Sequence, residues 1–250
     1  MAVFRAALLN EIEKLSKKKK VSVAVVISLM TVVIGQLAII GMRSGIGMRG
    51  AGSADFPLLV LSAVSYTVLP LFTALVAIEI FAGEFAQNSI RVTLTRPVSR
   101  LKIYTAKVLT IGVFILGNLL ILLVFSLAAG LIFNTGSAGG VQVGQILLAY
   151  AVSFIPIYVL ALGIALLANI FRSGISAFFI AILIFLAFKV IEIFFSSYSG
   201  LFLTNHLGWY NLWLANTFPL GKIIREFLIM AGYGIMFFTA GYYLFDQKEF

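Results

Sequence analysis

The stretch Val108 to Phe133, VLTIGVFILGNLLILLVFSLAAGLIF, holds no ionisable side chain, while Glu84 to Lys107 before it, EFAQNSIRVTLTRPVSRLKIYTAK, is polar and rich in arginine. The first segment is long enough to cross a bilayer. About 20 apolar residues in a helix span the roughly 30 Å hydrocarbon core, and a helix satisfies its own backbone hydrogen bonds there. Outward from it, further runs of sufficient length lie at about 21–41, 57–81, 145–170, 175–195 and 220–245. With 108–133 they predict six transmembrane helices in an all-α integral membrane protein, a single transmembrane domain over residues 1–250. Composition agrees: 62% of residues are hydrophobic, 11% are charged and mean hydropathy is +1.11, whereas soluble domains carry roughly a quarter charged residues.

The segments between the runs follow from their polarity. Residues 196–219 are too polar to span, and Trp209, Tyr210 and Trp213 within them predict an external segment at the headgroup level, where indole and phenol rings are favoured. Lys222, Arg225 and Glu226 occupy the first turns of the last run, with Lys222 and Glu226 spaced for a local ion pair. The glycine-rich stretch 41–52 reads as a flexible external loop, and no stretch outside the spans is long enough to bury a core of its own.

Basic residues are retained on the cytoplasmic side of short loops. With six spans, thirteen Lys and Arg fall on the side that holds the N-terminal segment and residues 84–107, against four on the other side. Both termini are therefore predicted to be cytoplasmic in a multi-pass cell-membrane protein. The formal charge of +9 becomes a juxtamembrane belt facing anionic lipid rather than a nucleic-acid surface. The N-terminal segment shows no small-residue cleavage site after a short apolar core, so residue 21 onward is expected to be a retained helix. Within residues 1–20, Phe4, Leu8, Ile12 and Leu15 recur at helical steps, with Arg5, Glu11, Glu13 and Lys14 assigned to other faces. That pattern predicts an amphipathic helix in the interface, turned into the first span by Lys17 to Lys20.

Enzyme chemistry finds no foothold. There is no cysteine and one histidine, His206, which reads as an interfacial residue without a chemical role. The glycine-rich phosphate-binding pattern is absent, as are the zinc-protease and serine-hydrolase patterns. No cofactor is expected on this chain. Ionisable groups inside spans are costly and mark function or pairing. Glu79 lies near the cytoplasmic end of the second run, and Lys189 and Glu192 are three apart on the fifth, close enough to pair or to gate. Asn118 and Gln36 are expected to bond between helices. Pro70 and Pro156 each sit where they would kink a span, which keeps an ion-coupled secondary transporter among the readings, alongside a non-transporting membrane anchor. A channel is disfavoured: no filter-like sequence or regular arginine spacing is present.

The polar segment resembles the cytoplasmic loop between the second and third spans of ABC-2 type transporter permeases. In that family a glutamate precedes a Gly-Thr pair, a short helix follows, then Pro-Val-Ser-Arg, and a lysine leads into the third span. The matching residues are Glu84, Asn88-Ser89, Pro97-Val98-Ser99-Arg100 and Lys107. Asn88 stands where glycine is usual, and asparagine tolerates the left-handed backbone better than most residues. The order of elements, with an amphipathic helix, six spans and an interfacial segment before the last, is similar as well. The resemblance implies a permease that dimerises with a second or homologous copy and recruits two cytoplasmic ATPase subunits, on which ATP and magnesium are bound. It implies that residues 84–100 form the coupling loop, with Glu84, Asn88, Ser89, Arg91, Arg96, Pro97 and Arg100 at the ATPase contact. The helix at Phe4, Leu8, Ile12 and Leu15 would share that contact. By local pattern Ile90, Val92 and Leu94 alternate as in a strand; the coupling helix there rests on the resemblance. A path lined by apolar and small residues implies export of an amphiphilic, lipidic or peptide-like compound across a bacterial or archaeal plasma membrane.

Overall fold

The structure, a computed structural model, describes residues 2–46, 55–86, 99–133, 142–171, 173–215 and 217–248. Every element among them is helical: α1 (Ala2–Ser16), α2 (Lys19–Ile46), α3 (Asp55–Tyr66), α4 (Val68–Ala86), α5 (Arg100–Phe133), α6 (Val143–Ile170), α7 (Gly174–Phe194) and α8 (Leu220–Asp246). Two 3-10 segments, Ser196–Leu201 and Asn205–Trp213, join α7 to α8. Five helices (α2, α5, α6, α7 and α8) are each long and apolar enough to cross a membrane, and α3 with α4 makes a sixth span if the bent pair counts as one.

That bent pair departs from the straight run expected at 57–81. α3 and α4 meet at 45°. Pro70 has no N–H to offer the Tyr66 carbonyl, and its ring crowds that carbonyl, so the helical ladder breaks around Thr67. The Thr67 amide instead bonds the Val64 carbonyl, and the Thr67 hydroxyl donates to the Ala63 carbonyl. Pro156 behaves differently, since α6 runs unbroken through it. The glycine-rich 41–52 stretch, expected to be a loop, is helical as far as Ile46.

α6 is the hub of the bundle, packing against α4, α5, α7, α8 and the second 3-10 segment. Its neighbours approach closely where side chains are absent. Gly112 on α5 faces the Tyr158 ring, and Gly163 on α6 faces the Phe237 ring, each so near that an added Cβ would crowd it. Small residues at crossings are how helices pack in a bilayer, where no hydrophobic force separates lipid from helix. One buried polar tie stitches three helices: the Tyr150 hydroxyl on α6 donates to the Pro57 carbonyl on α3 at 3.0 Å and lies 3.0 Å from the Ser126 hydroxyl on α5. Asn118, expected to bond across helices, is buried with neither amide atom hydrogen-bonded. α7 stands at the edge of the bundle and buries only Ala177 and Ala181.

The segment predicted at the headgroup level packs into one end of the bundle. Trp209, Tyr210 and Leu207 are buried, the second 3-10 segment packing on α6, α8 and α3. His206, expected at the interface, is fully enclosed, with Nδ1 3.5 Å from the Glu226 carboxylate of α8. This nine-residue 3-10 segment turns His206, Leu207, Trp209 and Tyr210 inward and leaves Asn205 and Asn211 exposed, so it closes that end of the bundle as a plug.

Candidate functional site

At the opposite end, the first turns of α5 gather three other elements. Lys107 is 0% exposed, although an ammonium group is strongly hydrated in water. Its Nζ donates to Glu11 Oε2 of α1 at 2.9 Å and to the Ile80 carbonyl of α4 at 3.3 Å. Glu11 is itself 6% exposed, and its other oxygen accepts from Lys14 at 2.9 Å. Burial would raise the Glu11 carboxyl, but Lys107 beside it, with Lys14, outweighs burial and holds it below the ordinary carboxylate range. The pair is therefore ionic, and each charge is enclosed with its partner.

Glu11 corrects the sequence reading, which put it on a face away from the apolar stripe. It lies three residues after Leu8 and four before Leu15, so it belongs to their face, and Glu11 and Leu15 are the residues α1 buries. α1 lies along α5 with that face inward. Phe4, Leu8 and Ile12 are only partly buried.

A second carboxylate holds the corner between α1 and α2. Glu79 on α4 accepts from Lys18 at 2.9 Å and from Lys20 at 2.5 Å. The corner itself is turned by the Lys18 amide bonding the Leu15 carbonyl and the Val21 amide bonding the Lys18 carbonyl. A third tie reaches the C-terminal end, where the Arg100 guanidinium donates to the Asp246 carbonyl and, at 3.3 Å, to the Lys248 carbonyl. Beneath these polar joints sits an aromatic cluster: the Tyr104 ring meets Phe81, Phe238, Tyr242 and Phe245 at centroid distances of 5.2–5.9 Å. Gly241 makes room for it, since a Cβ there would overlap the Tyr104 hydroxyl.

The outcome is a closed set of joints around both roots of the polar 84–100 segment. Glu84 falls in the last turn of α4, and Arg100 opens α5. Asn88, Ser89, Arg91, Arg96 and Pro97 lie outside the described residues, as does the alternating stretch from Ile90. Sequence reasoning singled out Glu79, Arg100 and Lys107 but missed the pairing of Lys107 with Glu11: the two are 96 positions apart, and no local pattern joins them. The signal that was present is a carboxylate inside an apolar stripe, which has to meet a cation if the stripe is buried. The arrangement carries no nucleophile or acid–base pair. Among the described residues no three His, Asp or Glu side chains converge as metal ligands. What it does is join: both roots of the 84–100 segment are tied to α1, to the α1–α2 corner and to the C-terminal end.

The other pair named from sequence, Lys189 and Glu192, lies toward the 3-10 plug. The two groups are 2.8 Å apart, and Lys189 also donates to the Thr204 carbonyl at 3.1 Å while the Thr204 hydroxyl donates to Glu192. The ammonium sits 4.7 Å from the centre of the Tyr66 ring. Lys222 and Glu226 are 4.0 Å apart on α8, next to His206.

Comparison with known proteins bears on the first of these sites. The profile of the ABC-2 family transporter proteins matches residues 7–190, a span that includes α1 from Ala7 onward, the Glu79 corner, the whole 84–100 segment and Lys107. A 92-residue stretch, 36% of this chain, is 38% identical to an uncharacterized protein, YhcI, of Bacillus subtilis (strain 168), and spans 29% of that protein's length.

Proposed function

Since the chain belongs to the ABC-2 family of transporter proteins, and so is a multi-pass permease component of an ABC transporter, we propose that it exports an amphiphilic, lipidic or peptide-like compound on energy supplied by separate ATPase subunits. Two such subunits bind ATP and magnesium; this chain binds neither and is not itself the catalyst. A second permease copy, or a homologous one, completes the path. Both termini and the 84–100 segment face the cytoplasm, which the distribution of basic residues favours.

The observation that carries this reading is the buried Glu11–Lys107 pair with the Glu79–Lys18–Lys20 corner. A loop retained only for topology needs no enclosed ion pair such as Glu11–Lys107 at its root, and enclosing charge is costly. A loop that receives a push needs its roots fixed to whatever must move. On ATP binding the partner subunits close and press on residues 84–100; α4 and α5 shift with the loop, and α1 follows through Glu11 and Glu79. Hydrolysis releases the load and the path resets. Arg91, Arg96 and Arg100 provide cations for carboxylates of the ATPase.

The test is copurification from native membranes of wild type and of a Glu84→Ala, Arg91→Ala, Arg96→Ala variant at equal expression. A phosphate-binding-loop ATPase is expected with wild type and is expected to be lost with the variant. Recovery of no ATPase with either protein would sink the proposal and leave an ion-coupled transporter as the better reading.

A further inference from the structure

Between α4, α6, α7 and α8 lies a groove of about 670 Å³, open along the side of the molecule. Its floor is formed by Ile164 and Ala181, and its rim residues Leu71, Leu186 and Met236 are exposed. The volume falls within the roughly 300–1,000 Å³ typical of ligand sites. Three of the walls, α6, α7 and α8, are helices of membrane-spanning length and hydropathy, and α4 reaches that length together with α3, so the opening faces hydrocarbon.

The groove has almost nothing to offer a polar ligand. Of its four lining hydroxyls, Thr67 donates to the Ala63 carbonyl at 2.6 Å, Tyr233 to the Leu201 carbonyl at 2.6 Å and Thr204 to Glu192, while the Tyr66 hydroxyl is turned against Gly208. A peptide or sugar entering here would leave its own polar groups without partners. A hydrocarbon chain would leave none. One end of the groove differs: Tyr66 and Thr204 line it, and Lys189 rests against both, on the Tyr66 ring and on the Thr204 carbonyl. An ammonium group has three N–H donors. Two of them are engaged, by Glu192 and Thr204, the Tyr66 ring covers one side of the nitrogen, and the 30% of the side chain that stays exposed leaves room for an acceptor of the third.

We propose that this groove is a binding site for a glycerophospholipid of the surrounding bilayer, with one acyl chain lying between α7 and α8 and the phosphate accepting the third N–H of Lys189. The occupant is a resident lipid, so the inference stands apart from the transport reading. The chain fills the apolar volume beside the edge helix α7, and the phosphate sets its depth at the level of the 3-10 plug.

The full-length chain, reconstituted in phosphatidylethanolamine and phosphatidylglycerol vesicles, is photolysed with phosphatidylglycerol bearing a diazirine midway along one chain, and adducts are mapped by mass spectrometry. Adducts are expected to concentrate on Phe185, Met236 and Phe237, severalfold above Met30 and Val33 on the exposed face of α2. Filling the groove with Leu71→Trp and Leu186→Trp should bring them down to the α2 level. If that variant is not monodisperse, Leu186→Trp alone, at the exposed rim, serves the same purpose. A diacylglycerol carrying the same chain should label the groove about tenfold less, the factor expected for one hydrogen bond to a charged group, and Lys189→Gln should abolish that preference. Uniform labelling of groove and α2 would overturn the site. Equal labelling by the two probes would overturn the phospholipid assignment. Loss of groove adducts in a dimeric fraction, with labelling restored in the monomer separated by size, would show a second copy seated in the groove, and overturn both.

Discussion

Lys107 and Glu11 meet in a place where neither can be left alone. Removing one partner of an enclosed ion pair typically costs about 3–5 kcal/mol, whereas replacing both by apolar residues of similar size is close to neutral. Lys107→Met should therefore lower the thermal stability of the detergent-solubilised protein sharply, since Glu11 retains only the half-exposed Lys14 and the Ile80 carbonyl loses a donor. Lys107→Met combined with Glu11→Leu should recover most of the loss. If the double variant is as unstable as the single one, the pair is not what holds α1 to α5. The pH dependence has a definite sign. The Glu11 carboxyl is lowered in the folded protein from its ordinary 4.5, so its contribution is present above that value and is lost as pH falls through the lowered one. The stability difference between wild type and Glu11→Gln should stay flat from about pH 8 to about pH 5 and vanish only in stronger acid. At this scale the sequence was half legible. Glu11 betrays itself by its spacing from Leu8 and Leu15, and Lys107 by its place at the mouth of a span, but nothing local joins residues from such distant parts of the chain. His206 is similar: nothing local in the sequence announces that packing encloses it beside Glu226.

Helices were the most legible level, because a run of about 20 apolar residues admits few alternatives in a bilayer. Their interruptions were less so. Pro70 and Pro156 carry the same local chemistry, yet α3 and α4 meet at 45° while α6 is continuous. The difference lies in surroundings: α6 is packed on several sides as the hub, whereas the break at Thr67 opens beside the groove that Tyr66, Thr67 and Pro70 help to line. Pro70→Ala restores a donor to the Tyr66 carbonyl and removes the ring that crowds it. The 45° bend should relax below the roughly 20° that marks a sharp kink. The cysteine-free background allows spin labels near the far ends of α3 and α4 to measure this as an increased separation. An unchanged separation would mean that the bend is imposed by the packing of the 3-10 plug rather than by proline. That plug was itself illegible, since its rings are equally suited to headgroups and to the inside of a bundle mouth.

Across the whole molecule, the charged joints bind one end of the bundle into a connected base and leave the edge helix α7 with few ties. α1, the α1–α2 corner and the first turns of α5 are tied to one another and to α4 by enclosed carboxylates, and the C-terminal end is tied to Arg100. α7, by contrast, buries two alanines and is held at its far end by the Lys189–Glu192–Thr204 contacts. A load applied at residues 84–100 thus meets a rigid base and a looser edge helix. If coupling works as proposed, the base should shift as one body. Spin labels at Leu9→Cys on α1 and Leu101→Cys on α5, both exposed positions, should give one narrow distance in the assembled transporter, the same with and without ATP. Adding Glu11→Gln and Glu79→Gln removes both carboxylates while keeping the ATPase contact residues, so the ATPase should still copurify but the distance should broaden when ATP binds. A wild-type distance that itself changes with ATP would show that these joints act as hinges, and would place the rigid unit of the transporter elsewhere.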